Sequence, residues 1–226
     1  MSSATSPNPG WGLPAKTPES RHPAQIAILF AAALNFVLPG KFTLGPPWFI
    51  PIIELLLLIP LFFVSHRKFT SRGAKLRQMA ALMLIGIVSI SNIISLILLI
   101  RILLFNSKAV NGLELIYSSV AIWATNVLVF ALWYWQLDRG GPDERVSPDH
   151  EEPDFLFPQM VTPASAKADW SPNFYDYLYV AFTNATAFSP TDTMPLTVTA
   201  KMLMMFQATA SLATIAIVAS RGIGIL

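Results

Sequence analysis

The sequence predicts an all-α polytopic membrane protein with five transmembrane helices and one re-entrant helix before the last of them. Apolar residues make up 54% of the 226 residues and charged residues only 12%, and the mean hydropathy is +0.54. That composition is far from the average of soluble domains. Five apolar segments approach the roughly 20 residues that a helix needs to cross a bilayer. They are residues 24–39, 48–64, 76–105, 113–137 and 196–219.

The segments divide the chain into three parts. Residues 1–23, rich in Ser, Pro and Thr, predict a disordered tail, and residues 24–112 predict a three-helix membrane region. The first span is short and closed by Pro39-Gly40, whereas the third is overlong and is expected to tilt or to project from the bilayer. The remaining part, 113–226, contains a helix at 113–137, a polar loop at 138–171, a re-entrant helix and turn at 172–194, and the last helix at 195–219.

The distribution of Lys and Arg predicts the orientation, because these residues are in excess on the cytoplasmic side. With five spans, one side carries Lys16, Arg21, Arg67, Lys68, Arg72, Lys75, Arg77, Arg139, Arg145 and Lys167, and the other carries Lys41, Lys108 and Arg221. This bias predicts a cytoplasmic N-terminus and an extracytoplasmic C-terminus.

A polar loop precedes the re-entrant segment. The Pro, Asp and Glu of residues 138–171 predict an exposed, mostly irregular connection, with the apolar island "FLFPQM" packed on the protein or dipped into the interface. We interpret His150 beside Glu151 and Glu152 as solvated charge rather than a metal site.

The re-entrant segment begins at Ser171-Pro172, a capping hydroxyl followed by proline at the first helical position. No helix breaker follows until Pro190, so the helix has about four turns, too short to span a bilayer. Irregular backbone at membrane depth is tolerated where it is buried in protein or lines a wet cavity. The alternative is an amphipathic helix lying on the interface and anchored by Tyr175, Tyr177 and Tyr179.

The segment "YVAFTNATAFSPTD" resembles the pore helix and filter of potassium channels, whose usual form is YFSFTTLTTVGYGD. Matching positions are Tyr179, Phe182, Thr183, Thr186 and Asp192. The chain also looks like an uncharacterised family of bacterial five-span membrane proteins, which carry a similar "FAYFSFTIGMTFQVSDT" segment. The resemblance covers roughly residues 113–226 and implies that helices 113–137 and 195–219 are outer and inner pore helices.

The filter positions depart from the potassium-channel pattern. Ser189 and Thr191 replace the two glycines and Pro190 replaces the tyrosine, and proline restricts both its own φ and the residue before it. This stretch cannot form a potassium filter. Cation selection would instead depend on polar groups beside the partly negative end of the helix. The candidate residues of the ion path are Thr183, Asn184, Thr186, Phe188, Ser189, Pro190, Thr191 and Asp192.

Charged and polar side chains inside the other spans are interpreted structurally. Glu54 and Arg101 predict an intramembrane ion pair, with Arg101 reaching toward Glu114 or a transport role as alternatives. Polar residues of the third and fourth spans predict interhelical hydrogen bonds, and small residues at four-residue spacing in the last span predict close contact within one chain or between subunits. These residues are Ser89, Ser91, Asn92, Ser95, Thr125 and Asn126, and Thr209, Ala210, Ala213, Thr214, Ala216 and Ser220.

Two functional hypotheses follow. The first is a weakly selective cation channel with pore-loop architecture, oligomeric and tetrameric if it conducts, in a bacterial inner membrane. The second is a non-conducting membrane scaffold or sensor with a degenerate pore loop. An enzyme is not predicted because the spans contain no His or Cys, no carboxylate pair at helical spacing and no nucleophile motif. The basic residues lie beside apolar segments rather than on a nucleic-acid face. The predicted partners are the lipid bilayer, cations and further copies of the chain, with no metal site and no cofactor.

Overall fold

A computed structural model describes residues 19–43, 45–46, 48–63, 71–106, 110–147, 151–162, 170–186 and 192–223 of the chain. These residues are predominantly helical, as predicted. The helices are α1 (His22–Val37), α2 (Phe49–Phe63), α3 (Ser71–Phe105), α4 (Gly112–Leu137), α5 (Pro158–Val161), α6 (Phe174–Thr186) and α7 (Val198–Ile223). Two short strands, β1 (Phe155–Leu156) and β2 (Met194–Pro195), pair antiparallel. Single turns of 3₁₀ helix occur at Gly40–Phe42, Asp138–Gly140 and Glu144–Val146.

Among the residues that the structure describes, three helices are long and apolar enough to cross a membrane, when α4 is taken together with the two 3₁₀ turns that follow it. They are Gln78–Phe105, Gly112–Val146 and Val198–Ser220. A membrane protein is therefore supported, whereas α1 and α2, with 16 and 15 residues, fall short of a full crossing length. Their crossing of the bilayer stays a prediction.

Local sequence accounts for the helix ends. α1 starts with Pro23 in its first turn, where a missing N–H costs nothing. It ends at Val37 because Leu38 adopts an extended conformation (ψ 131°) before Pro39. α4 starts where the Asn111 side chain accepts a hydrogen bond of 2.7 Å from the backbone N–H of Glu114.

α4 is the central helix of the bundle. It packs against α1, α3, α6 and α7, while α2 packs on α1 and α3. The apolar window of α4 is 61% buried, compared with 17% for that of α7. α7 therefore leaves most of its apolar surface to lipid or to neighbouring molecules.

The end of the bundle built around residues 138–162 is called the loop end. α3 begins there, since Gln78 donates a hydrogen bond of 2.8 Å to the carbonyl of Gly140. α1 begins there as well, because Arg21, immediately before the helix, forms an ion pair with Asp143. α4 ends there.

At the opposite end, α1 finishes and α2 and α4 begin. Asn35, in the last turn of α1, donates a hydrogen bond of 2.9 Å to Glu54 in α2. Lys41 forms an ion pair of 2.8 Å with Glu114 in the first turn of α4. Helices α1 to α4 therefore alternate in direction along the chain.

This alternation stops at α6 and α7, both of which begin at the loop end. The Tyr177 hydroxyl, in the first half of α6, donates a hydrogen bond of 2.6 Å to the Asp138 carboxylate. The backbone N–H of Leu196, just before α7, donates one of 2.8 Å to the carbonyl of Asp154. The pairing of β2 with β1 brings the chain back to the same end between the two helices.

The predicted exposed loop is wrong for much of 138–162. Phe155, Leu156, Phe157 and Met160 are buried in the main core, so the island "FLFPQM" packs on the protein. The charged residues after α4 are buried too: Asp138, Arg139 and Arg145. Charged side chains next to a span are solvated only where no other part of the protein covers them. Here the apolar island and the start of α6 cover them.

Candidate functional site

α6 begins two residues later than predicted. Its capping residue is Asn173 rather than Ser171, since the Asn173 side chain accepts a hydrogen bond of 2.9 Å from the backbone N–H of Tyr175. In return, the backbone N–H of Asn173 donates one of 2.8 Å to the Asp176 carboxylate. This reciprocal pair is a variant of the capping box, in which the Asn173 side chain bonds the second rather than the third helical N–H and Asp176 takes the place usually held by Glu.

Glu19 gives the N-terminus of α6 a further partner. One of its carboxylate oxygens accepts a hydrogen bond of 2.5 Å from the backbone N–H of Phe174, the first residue of the helix. A negative charge is favoured there because the helix dipole is positive at its N-terminus. The tail was predicted to be disordered up to residue 23, and this is wrong for Glu19 to Arg21; residues 1–18 lie outside the described part of the chain.

α6 runs alongside α4 and ends near its midpoint. At the loop end the ring of Phe174 packs edge-on against Trp135, with 6.1 Å between ring centroids. At the other end of α6, Phe182 packs on Trp123 in the same way at 5.8 Å, and Trp123 Nε1 donates a hydrogen bond of 3.5 Å to the carbonyl of Ala185. Trp123 is the twelfth of the 26 residues of α4. The 13 residues of α6 extend roughly 20 Å at 1.5 Å per residue.

The predicted ion-path residues other than Asn184 divide into three groups. Thr183 and Thr186 lie in the last turns of α6, where each hydroxyl donates to a backbone carbonyl of the same helix, at 2.8 Å and 3.0 Å. Asp192 is exposed. Phe188, Ser189, Pro190 and Thr191 lie outside the described residues.

Asn184 belongs to a buried polar cluster that joins three helices. Its amide nitrogen donates to the Gln207 side-chain oxygen (2.8 Å) and to the carbonyl of Met204 (2.9 Å), both on α7. The Tyr134 hydroxyl, from α4, donates to the same Gln207 oxygen at 2.6 Å. Gln207 itself donates a hydrogen bond of 2.7 Å to the carbonyl of Ala181 in α6. The side chain of Gln207 therefore ties α7 to both α4 and α6.

Gln207 and Tyr134 were not singled out from the sequence. The available signal was the one glutamine of the last span, because amides in membrane helices seek partners across helices. The predicted interhelical hydrogen bonds are confirmed at two places. Asn126 donates to Ser211 of α7 at 2.8 Å, and Trp133 donates to Ser89 of α3 at 2.9 Å.

A second buried cluster, at the loop end, contains charged groups. The guanidinium of Arg145 is fully buried and donates to the Glu19 carboxylate (3.0 Å) and to the carbonyl of Trp135 (2.7 Å). It also lies 5.3 Å from the ring centroid of Tyr177. The carboxylate of Asp138 accepts from the Tyr177 hydroxyl and from the backbone N–H of Asp154. Each buried charge is thus matched by an opposite charge or by hydrogen bonds, as burial requires.

Asp154 connects this cluster to the start of α7. Its carboxylate accepts a hydrogen bond from the Thr197 hydroxyl. Burial raises the pKa of Asp154 above its ordinary value, and the negative charges of Asp138 and Glu151 act in the same direction, while the Thr197 hydrogen bond opposes them. The protonated form therefore favours the folded state, and this contribution is lost as the pH rises through the folded-state pKa.

The predicted ion pair between Glu54 and Arg101 is not formed. Glu54 is fully buried and accepts its hydrogen bond from Asn35, whereas the Arg101 side chain is exposed on α3. The alternative partner of Arg101 is taken as well, because Glu114 pairs with Lys41. Both carboxylates therefore bond to α1 or to the segment just after it, Glu54 to Asn35 and Glu114 to Lys41.

One wide apolar cavity lies beyond the end of α6. It has a volume of about 410 Å³ and opens between α4 and α7, with Trp123, Thr186 and Ile215 in its wall. The cavity exists because α6 stops halfway along α4 and leaves the groove between α4 and α7 unfilled. Among the described residues no group of three His, Cys, Asp or Glu side chains is placed to hold a metal ion.

Comparison with known proteins adds no relative. No protein-family model, no curated protein and no solved structure matches this chain. The resemblance of residues 179–192 to potassium-channel pore segments therefore depends on the motif alone, and the family of the chain stays a prediction.

Proposed function

We propose that this chain is a pore-loop membrane protein in which α6 is a re-entrant helix, and that its oligomer passes cations with weak selectivity. The observation that carries the proposal is the shared starting point of α6 and α7 at the loop end. A helix that crossed the bilayer would deliver the next helix to the opposite end. α6 instead covers about half the length of α4, after which the chain is back at β1.

The environment of α6 supports this assignment. It runs along α4 rather than across its end, which disfavours the alternative of a helix lying flat on the membrane surface. Its partly negative C-terminus ends beside Trp123, near the midpoint of α4. In the proposed ion path, this helix end and the hydroxyl groups of the segment favour cations over anions, and so does the exposed Asp192 carboxylate, which lies two residues before β2 at the loop-end mouth.

An oligomer is part of the proposal because a single chain offers only one wall of a pore. Large apolar side chains of α6 and α7 are left uncovered in the single chain, including Tyr179 at 56% and Phe182 at 48% exposure, with Met202, Met205 and Phe206 on α7. These surfaces face lipid or neighbouring copies. By the distribution of Lys and Arg, the loop end faces the cytoplasm of a bacterial inner membrane and the C-terminus lies outside.

A non-conducting scaffold or sensor is the second candidate. The observation that favours it is the use of the Asn184 amide nitrogen, a predicted ion-path group, to bond Gln207 and Met204 within the chain. A pore loop whose polar groups serve packing can be retained without conduction.

Cation flux into liposomes containing the purified full-length protein separates the two. The first candidate predicts flux of K⁺ and Na⁺ with little anion flux. Asp192→Ala is expected to reduce cation flux about tenfold, because a negative charge at a pore mouth concentrates cations. Pro190→Gly is expected to change the ratio of K⁺ to Na⁺ flux by freeing the backbone.

Glu152→Gln is the matched control, since it removes another exposed carboxylate before β1 and is expected to leave flux unchanged. If the wild-type protein passes no cations under any gradient, the channel candidate is rejected and the scaffold is retained. Equal losses in Asp192→Ala and Glu152→Gln would show a general surface-charge effect instead of a site at Asp192.

A further inference from the structure

The buried pair formed by Asn35 and Glu54, between α1 and α2, lacks two hydrogen bonds. Both side chains are buried, and the amide nitrogen of Asn35 donates a hydrogen bond of 2.9 Å to Glu54 Oε1. The remaining two oxygens, Asn35 Oδ1 and Glu54 Oε2, are buried and have no hydrogen-bond partner. Both are acceptors, so neither can satisfy the other while the carboxylate is ionised.

No positive charge meets this carboxylate among the side chains that the structure describes. The elements packed against α2 are α1 and α3. Arg101, on α3, is exposed, and Lys41, just after α1, is paired with Glu114. Arg21 and His22 lie at the loop end of α1, thirteen or more residues before Asn35, which corresponds to roughly 20 Å along the helix.

We propose that Asn35 and Glu54 form a proton-binding site between α1 and α2, with the proton on Glu54 Oε2. One proton turns that oxygen into a donor and gives the Asn35 carbonyl oxygen the hydrogen bond that it lacks. An amide and a carboxylic acid then pair through two hydrogen bonds in opposite directions. Burying an isolated ionised carboxylate costs far more free energy than burying the neutral acid.

The site lies at the end of the bundle where Lys41 pairs with Glu114. Release of the proton leaves two unpaired acceptors and a buried charge between α1 and α2, so it weakens the contact between these helices. The proposal is independent of the pore-loop assignment, because none of its residues belongs to 113–226.

Infrared spectroscopy of the full-length protein in liposomes tests the site. At neutral pH, the difference spectrum between wild type and Glu54→Gln is expected to contain the carbonyl band of a protonated carboxyl group. The band should disappear as the pH is raised. Asn35→Leu is expected to keep the band and shift its frequency, since the acid loses its amide partner. The control Glu152→Gln, an exposed carboxylate, should leave the band unchanged.

A difference spectrum with carboxylate bands only would overturn the proposal. If those bands shift on addition of Na⁺ or K⁺, the pair binds a metal cation instead of a proton.

If Glu54→Gln does not fold, labelling of wild type replaces it. A hydrophobic carbodiimide takes the proton of a buried carboxylic acid and forms a bond to its oxygen, and mass spectrometry then locates the adduct. We expect labelling of Glu54 at neutral pH, loss of labelling at high pH, and no effect of Na⁺ or K⁺. An unlabelled Glu54 at neutral pH, or one protected by a cation, would contradict proton binding.

Discussion

Single residues at the loop end explain how the chain turns back after α4. The backbone φ angles of Arg139, Gly140 and Gly141 are all positive, at 54°, 76° and 96°. Residues other than Gly seldom adopt this region. This turn places Arg145 so that its guanidinium donates to the carbonyl of Trp135 and to Glu19. The adjacent glycines of "DRGGPDERV" therefore serve a buried charge cluster, not only a flexible loop.

Gly141→Ala is expected to destabilise the protein. An added Cβ would lie 2.8 Å from the backbone carbonyl oxygen of Gln136, on top of the unfavourable φ. We expect the free energy of unfolding to fall by about 2–3 kcal/mol. The measurement is thermal unfolding of the purified protein in detergent, followed by tryptophan fluorescence.

The control is Gly86→Ala in α3, where a Cβ meets no atom within 4 Å. Alanine has a higher helix propensity than glycine, so this variant is expected to be equally stable or slightly more stable. Similar losses in the two variants would contradict the steric explanation.

Among the elements, α6 depends most on contacts that are distant in sequence. Its first turn is held by Asn173 and Asp176 from its own segment and by Glu19 from the other end of the chain. The Glu19 carboxylate also accepts hydrogen bonds from Trp135 and Arg145. It therefore joins the start of α6 to the end of α4. The short helix is thus positioned by its N-terminus and by the Gln207 cluster near its C-terminus.

Glu19→Ala is expected to loosen α6 selectively. It leaves the buried Arg145 without its carboxylate partner, which costs about 3 kcal/mol when a buried pair is broken. Hydrogen exchange measured by mass spectrometry should show faster exchange in Phe174–Thr186 than in wild type. Glu19 forms its hydrogen bonds with α4, Arg145 and α6, so exchange in the described part of α3 serves as the internal reference. An unchanged rate in α6 would show that Glu19 does not hold this helix.

At the scale of the whole molecule, the direction of each helix is the property that carries the proposed function. α1 to α4 alternate, and α6 and α7 start together at the loop end. The three long apolar helices set the membrane axis, and the half-length helix beside α4 leaves a cavity of about 410 Å³ beyond its end. The proposed re-entrant helix requires full-length neighbours, because the ends of a half-crossing segment need protein partners at membrane depth.

Cysteine labelling of single positions checks this arrangement, and the chain contains no cysteine that would interfere. Tyr175→Cys and Asp192→Cys, both exposed, are expected to react with a membrane-impermeant maleimide from the same side of the vesicle. Asn106→Cys, between α3 and α4, should react only from the other side. Phe182→Cys should react slowly, since the proposed re-entrant arrangement places position 182 at half depth in lipid. Reaction of positions 175 and 192 from different sides would mean that α6 crosses the bilayer, and fast reaction of position 182 would place α6 on the surface.

Much of the helical content was predictable from the sequence because long apolar runs have few alternatives in a membrane protein. The helices observed near 113–137 and 76–105 follow the predicted bounds closely. The capping residue of α6 was missed by two positions because Ser171-Pro172 and Asn173 are both good helix starts, and the choice between them depends on Asp176 and Glu19. The pairing of Glu54 with Asn35 was missed because an ion pair with Arg101 was expected from charge alone. The partner of Glu54 depends instead on which helix its side of α2 packs against, and that helix is α1.

The length of the apolar runs determines, in the sequence alone, roughly where the long helices lie and that this chain belongs in a membrane. Only the tertiary structure decided three other features. They are the burial of Asp138, Arg139 and Arg145, the hydrogen bonds of Gln207 between helices, and the common starting end of α6 and α7. The reason is physical. Apolar transfer and backbone hydrogen bonding within a helix act over a few residues of sequence, whereas the fate of a polar or charged side chain depends on which partner the fold brings within about 3 Å.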